Sequence, residues 1–167
     1  AGFRLADMYY TGKGVPQDFS MAANQYRKGA VLGHAMSQLR LGIMLLNGEG
    51  VPCKDPTAAT RWLRDALANE AAIPNSEFGE ACFILGRILE EAAGAQGDPV
   101  EAVYRYQKAA AQGVVGAHVR LADFFFRGDA VKQDFAAAAR WYRLPAEQGD
   151  VDAQCKLGLL YRLGEGV

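Results

Sequence analysis

One stretch of the sequence, LGIMLLNGEGV at residues 41–51, recurs along the chain with small changes. It stands as LADMYYTGKGV at residues 5–15 and as LGLLYRLGEGV at residues 157–167, and two weaker copies begin at Leu85 and Leu121. Successive copies start 36 residues apart, except for one step of 44 residues between Leu41 and Leu85. A fixed period in this range indicates a protein built from stacked repeats.

Each copy predicts one helix, which we call helix A. Small residues stand four before and one after the shared leucine, and a large apolar residue usually stands four after it, so the pattern places them on one helical face. Glycines such as Gly12 and Gly48 then end the helix, because glycine adopts left-handed backbone conformations that other residues resist. The shared leucines are Leu5, Leu41, Leu85, Leu121 and Leu157.

A second helix, helix B, is predicted after each glycine turn. Asp18, Asp55, Asp98 and Asp134 stand where an N-cap would accept bonds from the first free amides of that helix. Helix B repeats an alanine, an aromatic residue and an alanine at spacings of four, which predicts one buried face. We expect the aromatic residues to fill the core: Tyr26, Trp62, Tyr106 and Tyr142.

The combined pattern, Ala-x3-Leu-Gly-x2-Tyr-x2-Gly-x-Gly-Val followed by Asp-x3-Ala-x3-Tyr-x3-Ala, resembles the Sel-one-like repeat, a relative of the tetratricopeptide repeat. The resemblance covers essentially the whole chain. It implies an all-α fold, a right-handed α/α superhelical solenoid of four full repeats plus helix A of a fifth. It also implies a scaffold or adaptor, with family roles in bacterial envelope, secretion, signalling or host interaction.

The predicted array is a single domain over residues 1–167. Its repeats cover residues 1–36, 37–80, 81–116, 117–152 and a partial unit at 153–167, so we expect the sequence to be an excerpt of a longer chain. Eight extra residues fall near 71–78. They are either a longer connection between helices or a loop that contacts a partner.

Several positions depart from the pattern. Ala92-Ala93 replaces the first turn glycine of the third repeat, which predicts a longer helix before Gly94. Pro145 predicts that helix B of the fourth repeat kinks or ends early, because proline lacks an amide donor and crowds the preceding turn. Leu157, Leu160 and Tyr161 would normally pack on a fifth helix B, so we expect them to be exposed.

A basic residue precedes the shared leucine in four of the repeats. We expect Arg4 to pair with Asp7, and Arg120 with Asp123, three residues along the same helix. The alternative is that these basic residues together bind an acidic ligand. The basic residues are Arg4, Arg40, Arg120 and Lys156, and Ile84 takes the place in the third repeat.

The composition argues against several classes of function. A net charge of -1 disfavours nucleic-acid or membrane-surface binding, and no apolar run is long enough for a membrane span. His34 and His118 lack companions at metal-ligand spacing, and the Gly-x-Gly turns lack the rest of a phosphate loop. We therefore predict no catalytic, metal or cofactor site and no enzyme activity. The compartment stays open between the cytoplasm and a bacterial periplasm or envelope.

The predicted function is binding of another protein or peptide through the variable positions of helix A. These lie two before, two after and five after the shared leucine, and in tetratricopeptide arrays they line the concave face. An apolar groove with a polar edge is one interpretation, and burial between neighbouring repeats is the other. Two further roles stay open: a glycan-associated or envelope scaffold using Tyr10 and Phe126 as stacking residues, and self-assembly through open array ends. The candidate contacts are Phe3, Tyr10, Leu39, Ile43, Leu46, Phe83, Arg87, Glu90 and Phe126.

Overall fold

A computed structural model describes residues 2–92 and 97–164 of the chain. Within these residues the chain forms nine α-helices and one short 3-10 helix, which confirms the predicted all-α repeat fold. Helices A and B alternate as predicted. The helices A are α1 (Gly2–Thr11), α3 (Ala35–Asn47), α5 (Asn75–Glu91), α7 (Val115–Arg127) and α9 (Val151–Leu163). The helices B are α2 (Phe19–Val31), α4 (Pro56–Leu67), α6 (Pro99–Ala111) and α8 (Phe135–Glu147).

We number the repeats by these pairs, from repeat 1 (α1 and α2) to repeat 4 (α7 and α8), with α9 alone as repeat 5. In the third repeat, α5 ends at Glu91, as many residues after the shared leucine as α1 and α3 do, and Ala92 is not helical. The prediction of a longer helix before Gly94 is therefore wrong, and Gly94 itself lies outside the described residues. The final Gly166 lies outside them too.

The helix ends follow the predicted chemistry. Asp18 accepts a hydrogen bond from the Met21 amide at 2.9 Å, and the other predicted aspartate caps do the same for the residue three places on. Gly48 ends α3 in the left-handed conformation with φ 78°. Ala130, which stands where Gly50 stands in repeat 2, has φ 58°, a conformation that costs alanine free energy because of its Cβ.

The chain divides into two compact units, Ala1–Ala81 and Cys82–Val167, and the division falls within α5. Each unit is described separately, and the single array over residues 1–167 stays a prediction. In the first unit, small residues of helix A meet small residues and an aromatic of helix B. One buried cluster there comprises Ala6, Ala22, Ala23, Tyr26, Ala30, Leu41, Met44, Leu45 and Ala59.

The core of the second unit has the same plan. Gly86 shows why the position after the shared leucine is small, since a Cβ there would lie 2.7 Å from the Tyr106 ring. Leu160 of α9 is fully buried in a cluster with Tyr142, so the prediction that Leu160 would be exposed is wrong. Helix α8 already offers α9 an alanine-rich face, because Ala138 and Ala139 belong to the same cluster. Tyr161, in contrast, is 51% exposed.

The insertion after α4 is folded. It forms a 3-10 helix, Glu70–Ala72, and then adds a turn to the start of α5, which begins directly after Pro74. Ile73 and Phe78 are buried within it, and Glu77 pairs with Arg40 of α3 at 2.9 Å. The extra residues therefore form packed structure, and their contact with a partner stays a prediction.

Pro145 does not shorten α8. This helix reaches Glu147, so it has the same length as α2 and α6 and the prediction of an early end is wrong. Pro145 lies in the last turn, where proline removes a single backbone bond. Its own carbonyl accepts bonds from the amides of Gln148 and Asp150 at 3.1 and 3.0 Å, and its ring is buried.

Candidate partner-binding surface

The core tyrosine of helix B reaches a carboxylate at a variable position of helix A. In repeat 1 the Tyr26 hydroxyl donates to Asp7 Oδ1, two residues after the shared leucine. Phe3, another variable residue, packs on the Tyr26 ring with centroids 5.7 Å apart. Phe3 and Asp7 therefore help to pack their own repeat around Tyr26.

The same arrangement recurs in the second unit. The Tyr106 hydroxyl donates to Glu90 Oε2 at 2.7 Å, and the Tyr142 hydroxyl donates to Asp123 Oδ1 at 2.5 Å. Asp123 stands two residues after its shared leucine and Glu90 five residues after, which are neighbouring places on one helical face. Each buried hydroxyl thus has an acceptor, as buried polar groups require.

Burial and the carboxylate together hold these tyrosines in the protonated form. Desolvation, the hydrogen bond from the hydroxyl to Asp123 and the charge of Asp123 raise the pKa of Tyr142 far above its usual value. The pKa values of Tyr26 and Tyr106 are raised by the same causes in the same order, with Asp7 and Glu90 as the respective partners. The hydroxyls therefore serve as donors throughout the ordinary pH range.

The basic residues that precede the shared leucines approach these carboxylates from the following repeat. Lys156 Nζ lies 2.5 Å from Asp123 Oδ1, and Arg120 Nη1 lies 3.6 Å from Glu90 Oε1. The predicted pairing of Arg120 with Asp123 is therefore wrong, because neighbouring helices A lie close enough for pairing between repeats. In the first unit, the charge of Arg40 opposes the rise in the pKa of Tyr26.

Repeat 2 has neither the tyrosine of helix B nor the carboxylate of helix A. Its aromatic is Trp62, and the two positions that hold carboxylates in other repeats are Ile43 and Leu46. Both are half-buried, and Leu46 and Trp62 pack against the first-unit core. Leu39 is only 1% exposed. Ile43 and Leu46 therefore form a partly open apolar pair without a polar role in their repeat, whereas Leu39 belongs to the core.

The candidate contacts of the second unit are mixed. Phe83 is half-buried and packs on the Tyr106 ring, with centroids 5.7 Å apart. Glu90 has only 19% of its side chain exposed, because the Tyr106 hydroxyl holds it. Arg87 is the most open of the three, with 51% of its side chain exposed and its guanidinium paired with Glu91 at 3.0 Å.

Tyr10 and Phe126 are the two candidate stacking residues of the glycan-associated role. They occupy equivalent positions, and both are half-buried. Tyr10 packs edge-on against Phe19 with centroids 5.4 Å apart, and Phe126 packs in the same way against Phe135 at 5.6 Å. The Tyr10 hydroxyl also donates to Glu49 at 3.1 Å.

A search of the described residues finds no group of three or more His, Cys, Asp or Glu side chains arranged to hold a metal ion. In the same part of the chain, every helix is too short or too polar to cross a membrane.

An alternation of antiparallel helical pairs, with a shared core and variable helix-A positions, defines the class of α/α repeat proteins. The chain belongs to the Sel1 repeat family. The Sel1 repeat model matches residues 1–34, 35–69, 79–114, 115–150 and 151–167, so only the insertion at 70–78 falls outside it. Sel1-repeat proteins typically act as adaptors in protein–protein interactions and are generally non-catalytic.

Curated relatives are much longer than this chain. An ERAD-associated E3 ubiquitin-protein ligase component of Arabidopsis thaliana, HRD3A, is 33% identical over 72 residues, which are 43% of this chain and 10% of that protein. Chitin synthase regulatory factor 3 of Schizosaccharomyces pombe is 25% identical over an alignment that covers 100% of this chain and 18% of that protein. The chain thus spans less than a fifth of the length of these relatives.

Two solved structures share the fold. A Sel1 repeat protein from Oxalobacter formigenes has a TM-score of 0.81 at 29% identity, covering 99% of this chain and 65% of that one. A protective antigen of uropathogenic Escherichia coli strains, which displays an SLR fold, has a TM-score of 0.76 at 34% identity. That match covers 97% of this chain and 33% of the antigen.

Proposed function

We propose that the protein is a non-enzymatic scaffold or adaptor that binds another protein through the variable positions of helix A, with Ile43 and Leu46 as its apolar anchors. One observation carries the proposal. The tyrosine–carboxylate pairs occupy the equivalent positions in repeats 1, 3 and 4, whereas in repeat 2 these positions hold two half-buried apolar side chains that have no hydrogen bond to make. Partly exposed apolar side chains on a rigid helix are suited to fill a partner's pocket.

In the second unit, Arg87 and Phe83 are the proposed contacts. The Arg87 side chain is half exposed, and arginine and aromatic residues are enriched among residues that dominate binding energy. Glu90 and, in the first unit, Phe3 hold their own repeats together, so we assign them a supporting role in shaping the surface.

The test begins with a photo-crosslinking residue placed at position 46 of the full protein in its source cells. Captured proteins are then purified, and their affinity is measured for the wild type and for Ile43→Glu. We expect Ile43→Glu to weaken binding by more than roughly 1 kcal/mol, because it places a charge in an apolar contact. Helical content by circular dichroism should stay unchanged, since Ile43 is only half-buried.

The matched control is Val100→Glu, which makes the same apolar-to-acidic change at an exposed site of α6. Val100→Glu should bind as the wild type does. Equal affinity of the Ile43→Glu variant and the wild type would contradict the proposal, and so would the absence of any crosslinked partner.

A second candidate role is a scaffold for polysaccharide-related machinery of the cell envelope. The observation that favours it is the similarity to a yeast protein named as a chitin synthase regulatory factor. Because Tyr10 and Phe126 are half-buried against Phe19 and Phe135, we propose that such a role would work through protein contacts. A glycan pull-down tests it, and direct capture by sugar would contradict the protein-contact form.

A further inference from the structure

The outer face of α2 is apolar at positions that the fold does not require to be apolar. Val31 and Leu32 are 72% and 86% exposed, and Met21 is also exposed. In repeats 3 and 4, which have no insertion after helix B, the positions of Val31 and Leu32 hold small or polar residues. Those residues are Ala111, Gln112, Glu147 and Gln148, and all four are exposed.

The exposed apolar residues of α2 are not needed for packing between repeats. Neighbouring helices leave the equivalent positions of α6 and α8 open to solvent, so stacking of repeats does not account for Val31 and Leu32. Large apolar side chains left this exposed cost solubility and mark interaction surfaces when they cluster.

The same face carries positive charge without an opposing group. Arg27 and Lys28 are both exposed, and α2 itself contains no Asp or Glu. Among the described residues, no carboxylate forms an ion pair with either of them. A partner with acidic groups would be drawn to this face and oriented on it.

The spacing of these residues fits a helical partner. Along α2 and its C-cap, successive residues of this set are one or three positions apart, which keeps them on one helical face. They are Met21, Asn24, Gln25, Lys28, Val31 and Leu32. With Arg27 they line a shallow, open surface along one side of the helix. Such a surface can pack against the apolar side of an amphipathic helix.

We propose that the outer face of α2 is a second docking surface, which binds an acidic amphipathic helix of a partner protein. Val31, Leu32 and Met21 contact its apolar side, and Arg27 and Lys28 pair with its carboxylates. This surface lies on helix B and is separate from the helix-A positions of the proposed adaptor site, so either can fail without the other.

The test uses a fluorescein-labelled helical peptide with leucines on one side flanked by glutamates, titrated by fluorescence anisotropy. The control peptide has lysine in place of glutamate. The protein variants are Arg27→Glu/Lys28→Glu and Val31→Gln/Leu32→Gln, in which glutamine is the residue that repeats 3 and 4 carry at the position of Leu32. The matched control is Arg140→Glu/Arg143→Glu, an equal charge reversal at exposed positions of α8.

We expect the acidic peptide to bind the wild type and each α2 variant to lose about tenfold in affinity, while the α8 variant and the wild type agree within about twofold. The basic peptide should not bind. Failure of the acidic peptide to bind, or equal losses in the two charge-reversal variants, would overturn the proposal. Capture of the protein by phosphatidylserine vesicles, lost in Arg27→Glu/Lys28→Glu while the peptide does not bind, would assign the face to a membrane surface instead.

Discussion

Repeats 2 and 4 have the same two-helix plan, but they differ at the helix-A position two residues after the shared leucine. In repeat 4 that position is Asp123, which accepts the buried Tyr142 hydroxyl and pairs with Lys156. In repeat 2 it is Ile43, and the aromatic residue of that repeat is Trp62, which has no hydroxyl. A position used for internal hydrogen bonding holds a carboxylate that already has its partners, whereas one filled by hydrocarbon offers a partner an apolar contact.

The residue just before the shared leucine of the next repeat differs in the same way. After repeat 4 this residue is Lys156, and after repeat 2 it is Ile84. Repeat 4 therefore has hydrogen-bonding residues at all three positions, whereas repeat 2 has apolar residues at all three. We infer that the three positions change together because a carboxylate is needed only where a tyrosine hydroxyl is buried.

The largest expected effect comes from removing the aromatic itself. Tyr142→Ala should lower the free energy of unfolding by about 3–5 kcal/mol, because it empties a fully buried site and removes the hydrogen bond from the tyrosine hydroxyl to Asp123. Trp62→Ala should cost less, since Trp62 is only half-buried. Urea denaturation of the two variants gives both values. Equal costs would show that repeats 2 and 4 depend on their aromatics alike.

A smaller effect isolates the hydrogen bond. Asp123→Leu should cost about 1–3 kcal/mol, because it leaves the Tyr142 hydroxyl buried without an acceptor. Tyr142→Phe should cost about 0.5–1.5 kcal/mol, since Asp123 keeps Lys156 as a partner. The double variant resembles repeat 2, and its cost should fall below the sum of the single costs by about 1 kcal/mol. Strict additivity in this double-mutant cycle would remove the coupling on which the comparison rests.

The fold could be predicted from the sequence because its signals are local and repeated. Asp18 and Asp134 cap helices three residues before the amides they accept from, and Gly12 and Gly48 take the left-handed conformation at helix ends. Each signal needs only a few neighbouring residues to act, so five copies of the pattern reinforce one another.

The predictions from sequence were wrong where a residue can contact partners that are distant in sequence. Arg120 could reach Asp123 on its own helix or Glu90 on another, and the spacing of the helices favours Glu90. Leu160 was expected to need a fifth helix B, but α8 supplies enough apolar surface to bury it. The tyrosine–carboxylate pairs were missed for the same reason, although the recurrence of Asp at positions 7 and 123 was a visible signal.

The candidate site could likewise be predicted only in part from the sequence. The sequence could locate the variable positions of helix A by their register. Only the structure separates Leu39, which is buried, from Ile43 and Leu46, which are half-buried. The exposed face of α2 could not be predicted because solvent exposure at Val31 and Leu32 depends on how far neighbouring helices extend.

The most direct test of partner binding through repeat 2 replaces its tryptophan and its apolar helix-A residue by the polar pair of repeat 4. The variant Trp62→Tyr/Ile43→Asp gives repeat 2 the tyrosine and the carboxylate of repeat 4. The measurement is the affinity of this variant for the partner captured from position 46, with urea denaturation confirming that it folds. We expect a stably folded protein whose affinity for the partner falls about tenfold or more. A folded variant that binds the partner as tightly as the wild type would contradict this expectation.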